Sequence, residues 1–224
     1  MKIKATTTKA LALLLAALSL IEVSFGEVFS DAAALAESRI YAQNSWFDCV
    51  GLYGAKVGDV WYSYGTAVLI GDGSWVLISG HQKLNVPAHG DEGFILHKPD
   101  GSTKSITVAS GAYVHPGCSP GFYDYGDDVA LLKLISAATE ATPATFYAGQ
   151  YTRGMSYSMA GFGLPGIAGQ ATMAFDGIKR AGNNIGNSFG GDIRIPGQGP
   201  QYVGADFDSP SSGNALPLEW LGAN

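Results

Sequence analysis

The sequence predicts an all-β fold, an antiparallel barrel or sandwich. Two observations carry this reading. Short runs of β-branched and aromatic residues recur along the chain, broken by Gly, Pro, Asn and Asp, and 31 of the 224 residues are glycine. Helical periodicity, by contrast, is confined to one moderate stretch after the apolar N-terminus. Many short strands with turn residues between them suit antiparallel sheets, which need only tight connections.

The elements follow in order. Lys2, Lys4 and Lys9 precede an apolar run at 10–21, and the small residues Ser24 and Gly26 suit a cleavage site. That pattern predicts a signal peptide over residues 1–26, since the run is too short to span a bilayer comfortably; a membrane anchor is the plainer alternative. An N-terminal segment at 27–45 holds the helical stretch, 31–42, with Asp31 as its N-cap. Strands are expected at 47–53, 60–70, 75–79, 93–97, 105–108, 129–134, 156–161, 171–175 and 202–207. The Gly-rich residues 182–199 read as a long loop, with a short strand at 192–195.

Charge excludes some partners. Removing Lys2, Lys4, Lys9 and Glu22 with the signal takes the formal net charge from −6 to −8. An acidic chain without clustered Lys and Arg argues against nucleic acid and against an anionic membrane surface once the signal is gone. Cys49 and Cys118 are the only cysteines. In an exported protein they could form one disulfide, but nothing in the sequence shows that they meet. His89, His97 and His115 have no metal-ligand spacing with each other or with the cysteines. Asp91-Glu92 is too small an acidic pair to claim a calcium loop. Gly161–Gly166 matches a dinucleotide fingerprint only formally, because Pro165 stands inside it and no helix follows. No metal or cofactor is expected.

Two residues point to chemistry. His81 ends the stretch Trp75-Val-Leu-Ile-Ser-Gly-His81, and Asp128 opens Asp128-Val-Ala-Leu-Leu-Lys-Leu134. A serine hydrolase needs a base with a pKa near neutrality and a carboxylate that fixes the base's tautomer. It also needs backbone N–H groups for the oxyanion. His81 suits the base and Asp128 the orienter, with Asp127 as the nearest rival assignment.

Four segments in order resemble the trypsin-like and chymotrypsin-like serine proteases of secreted bacterial type. Gly65-Thr-Ala-Val-Leu-Ile70 with Trp75–His81 is similar to the strand pair ending in the family's histidine. His115-Pro116 and Asp128–Leu134 are similar to the stretch that carries its aspartate. Gly161-Phe-Gly163 is similar to the opening of its second barrel. The resemblance implies a double antiparallel β-barrel over 46–224, the first barrel at about 46–140 and a partial second at about 141–224. It also implies a peptide or protein substrate cleaved in the cleft between barrels.

The departures matter. Ser79-Gly80-His81-Gln82 stands where the family commonly has Ala-Ala-His-Cys. No Gly-Asp-Ser-Gly-Gly occurs in the sequence. Of the serines after the Gly-rich loop, Ser209, Ser211 and Ser212, the last two are the fallback candidates for the nucleophile. Pro210 lacks an N–H and Gly213 is the lone neighbouring glycine, which suits an oxyanion hole poorly. Val203–Asp208 and Leu216–Leu221 resemble the segments that precede the motif in bacterial relatives, so the expectation is a chain ending before its nucleophile. With the motif directly after Asn224, Leu221 would lie at the floor of the specificity pocket, disfavouring cleavage after Lys or Arg. The expected function is a secreted serine endopeptidase represented without its serine. The alternatives are a catalytically inactive binding protein on the protease fold and an unrelated carbohydrate-binding β-sandwich. Oligomeric state is left open.

Overall fold

The chain enters its main sheet at β2 (Val50–Val57) and turns back at once into β3 (Val60–Ile70), its longest hairpin. The computed structural model describes residues 28–86, 91–98, 100–118, 127–149, 154–167, 170, 174–185, 188–189 and 203–204. The signal-peptide expectation and Ser209, Ser211 and Ser212 lie outside the described residues.

After β3, Gly71-Asp72-Gly73-Ser74 makes a tight turn. Gly71 and Gly73 adopt positive φ (65° and 82°), and the Asp72 carboxylate accepts from Ser74 N–H (3.0 Å) and Oγ (2.5 Å). β4 (Trp75–Ile78) then pairs back on β3, and a short helix α2 (Gly80–Leu84) follows. β5 (Asp91–His97), β6 (Thr103–Val114) and β7 (Ala130–Leu134) complete a closed barrel in the order β2-β3-β4-β7-β6-β5, every ladder antiparallel. Closure removes the free strand edges that would invite aggregation.

Alternation fills the barrel. Val76 and Ile78 from β4, Phe94 and Leu96 from β5, and Ala130, Leu132 and Leu134 from β7 are buried. Gly51 stays small for Phe94, since a Cβ there would come within 2.5 Å of its ring. Period-2 burial of this kind fixes the register, because a one-residue slip would turn each buried set outward.

The N-terminal segment is a strap outside the barrel. β1 (Val28–Phe29) pairs in parallel with β9 (Gly166–Ile167). The helix α1 (Ala32–Tyr41) is capped by Asp31, whose side chain accepts from Ala34 N–H at 2.9 Å. β8 (Ser156–Gly161) pairs with β10 (Arg180–Ile185), and β11 (Ser188–Phe189) with β12 (Val203–Gly204). These are the described parts of the second half.

Three expectations need correction. β10 runs to Ile185 and β11 covers Ser188–Phe189, so the loop expected over 182–199 is strand at these positions, and the rest of it, with the strand expected at 192–195, lies outside the described residues. The Arg-Ala-Gly-Asn-Asn-Ile sequence of β10 lacks strand character, yet it pairs residue for residue with β8 and buries Arg180 and Ala181. β6 extends well past 105–108 because a register shift between Val108 and Ala112, with Gly111 at φ 103°, lets the ladder continue. Residues 174–175 are not strand, and 171–173 lie outside the described residues; of the 202–207 run, Val203–Gly204 is strand and the rest lies outside the described residues. Cys49 and Cys118, whose pairing the sequence leaves open, are unpaired thiols: Cys49 is in the core and Cys118 stands beside Asp128.

Arg180 is fully buried, and Asp176 grips it with both oxygens (3.0 and 2.6 Å) while Arg39 of α1 approaches the same carboxylate at 3.6 Å. The Arg180 hydrogen bonds hold the Asp176 carboxyl below the usual 3.8 against its partial desolvation. A depressed carboxyl stabilises the fold above its unfolded value and loses that contribution as pH falls through the folded one. Asp176→Asn is expected to cost roughly 2–3 kcal/mol at neutral pH. That is below the figure for a fully enclosed pair, because Asp176 remains partly in water. Urea unfolding should show the gap between wild type and variant closing on acidification below 3.8; a pH-independent gap would contradict the pairing.

Candidate active site

The β4–β7 register brings the two candidate residues together. Ile78 stands opposite Ala130, so the chain leaving β4 at Ser79-Gly80-His81 meets the chain arriving at β7 through Asp128. Val129 N–H closes a tight turn onto the Asp127 carbonyl (2.8 Å), bending the backbone at Asp128. His81 lies in the first turn of α2, where N–H groups lack intrahelical acceptors.

Asp128 meets both needs of His81. Its Oδ1 accepts the His81 backbone N–H at 2.7 Å, and its Oδ2 lies 2.6 Å from Nδ1 of the ring. Ser79, the N-cap by position, makes no side-chain cap bond, so the carboxylate of Asp128, two residues before β7, caps the helix in its place. Backbone and ring are thus held by one group. With Nδ1 occupied by a carboxylate, proton transfer falls to Nε2. Both side chains are largely enclosed, at 24% and 17% exposure. Asp127, the rival assignment, turns to His115 instead (3.3 Å).

A second anchor fixes α2. Lys83, two residues beyond His81, pairs with Glu92 of β5, and Glu92 also accepts from the buried Tyr53 hydroxyl at 2.5 Å. Burial, reinforced by the Glu92 carboxylate, pushes the Tyr53 phenol far up, so it stays a donor. The sequence reading missed this network, and only Asp91-Glu92 drew notice there, as an acidic pair. Among the described residues no three His, Cys, Asp or Glu side chains converge as a metal group would require.

Gly161-Phe162-Gly163 closes against the barrel near this region. Phe162 N–H donates to Thr66 Oγ1 (3.0 Å), and its ring packs on His97 at 4.7 Å. Burial lowers the His97 imidazole, which argues for a packing role.

Neuropsin, a serine protease expressed in the limbic system of mouse brain, aligns at a TM-score of 0.50 and 18% identity over 65% of this chain and 61% of that one. The fold is trypsin-like. GrC aligns at a TM-score of 0.49 with 20% identity, over 65% of this chain and 62% of its own. The chain therefore spans about three fifths of the length of these solved proteins. Neither a family model nor a curated protein matches the sequence.

The bracket on His81 has a direct readout. Asp128→Ala is expected to speed amide hydrogen exchange at His81 by about tenfold to a hundredfold, since a hydrogen bond to a charged acceptor contributes about 1.5–3 kcal/mol. An unchanged exchange rate in a folded variant would show that Asp128 does not hold the helix start.

Proposed function

We propose that the chain carries the base and orienter of a secreted serine endopeptidase of bacterial type. The carrying observation is the double grip of Asp128 on His81 within a trypsin-like barrel. On this reading residues 1–26 export the chain, and the protease domain begins near residue 46. His81 Nε2 takes the hydroxyl proton of a serine as that oxygen attacks the peptide carbonyl. The imidazolium is stabilised by Asp128 and returns the proton to the leaving amine; water then repeats the cycle on the acyl-enzyme.

The serine is the missing element. Gly-Asp-Ser-Gly-Gly does not occur in residues 1–224, and that absence favours a second reading, an inactive binding protein on the same fold. A fluorophosphonate probe separates them when applied both to the product of the complete reading frame and to residues 27–224. The endopeptidase reading expects the complete product to label at a serine outside residues 1–224, with His81→Ala slowing labelling by about a thousandfold or more. Residues 27–224 should not label. Labelling at Ser211 or Ser212 would move the nucleophile there, and a complete product that labels nowhere would leave the binding protein.

A further inference from the structure

Asp128 has a third partner that the chemistry above does not use. The Cys118 Sγ lies 3.6 Å from Oδ1, the oxygen that accepts the His81 amide, within reach of an S–H donor given the size of sulfur. The backbone presents it there. His115 N–H donates to the Val129 carbonyl (2.9 Å) at the end of β6, and Cys118 N–H folds back onto the His115 carbonyl (2.9 Å). On the opposite wall Gly80 is buried, and a Cβ on it would come within 2.5 Å of the sulfur. The thiol fills space that only glycine leaves, directly before His81.

We propose that Cys118 is a positioning residue: its thiol donates to Asp128 Oδ1 and its sulfur packs into the gap at Gly80, fixing the carboxylate that holds His81. The inference rests on Asp128 as the orienter of His81. The surrounding charges agree. Asp128 faces the thiol directly, Asp127 lies next along the chain and is paired with His115, and His81 shares Oδ1 with the thiol through its backbone N–H while its ring takes Oδ2. Burial, then the Asp128 charge and hydrogen bond, and lastly Asp127 push the Cys118 thiol up, so it stays protonated and able to donate. A thiolate would set a second negative charge against Asp128.

Iodoacetamide alkylation of the full chain, read at the Cys118 peptide by mass spectrometry, tests the contact. Asp128→Asn keeps the shape and removes the charge, so alkylation at neutral pH is expected to rise about threefold or more. The gain in thiolate is partly offset by its lower nucleophilicity. Asp127→Asn should change the rate less. Equal rates in all three proteins would overturn the contact. Positioning has its own readout, His81 amide exchange. Cys118→Ala should speed it about threefold or more, and Cys118→Ser, which keeps a donor, should stay within about twofold of wild type. A rise in both variants or in neither would overturn the role. If Asp128→Asn fails to fold, the Cys118 pair still decides. Neither readout needs a nucleophile, so failure here is distinct from failure to label with fluorophosphonate.

Discussion

The pairing of β4 with β7 is the constraint on which the site depends. These strands are neighbours in a closed barrel, and Val76, Ile78, Ala130 and Leu132 can all face inward only in the observed register. A slip by one residue would expose those side chains and carry Asp128 away from His81 together. Core packing and site geometry are therefore one constraint. The hydrophobic residues that hold the barrel also set the separation of two polar residues just outside it.

The polar groups around His81 refine what the register makes available. Asp128 takes the ring and the backbone of the same residue, so the imidazole cannot move independently of the helix that bears it. Lys83 and Glu92 tie the other end of α2 to β5, with the buried Tyr53 hydroxyl on the second carboxylate oxygen. The Asp128 and Glu92 carboxylates and the buried Tyr53 hydroxyl each have a partner of matching type, which spares them the cost of desolvated, unbonded groups, whereas Gln82 Oε1 is buried without one. The short helix of α2 could not be rigid by its own hydrogen bonds. It is fixed from outside, at both ends.

Legibility in the sequence followed the strength of local pattern. The strand at Val60–Ile70 falls where β-branched and aromatic residues place it, the one at Ser156–Gly161 matches the expected bounds, and α1 starts where Asp31 caps it. His81 and Asp128 stood out as candidates because each abuts an apolar strand, in an order that resembles the trypsin-like proteases. β10 did not, since the Gly-rich stretch from Gly182 reads as loop; its existence depends on β8 across the ladder and on Asp176 answering the buried guanidinium. Helix α2 is too short to show a period. Cys118 gave no signal, because its meaning lies in a contact with Gly80 and Asp128, distant in sequence and adjacent only once the barrel closes.

The central claim is that Asp128 holds the Nδ1 proton of His81. Proton NMR of the folded chain, with the histidine rings labelled in nitrogen, tests it most directly. The account predicts a low-field Nδ1 proton resonance from His81 that is lost in Asp128→Asn and retained in Asp127→Asn. A His81 ring with no such resonance, or one that survives Asp128→Asn unchanged, would contradict it.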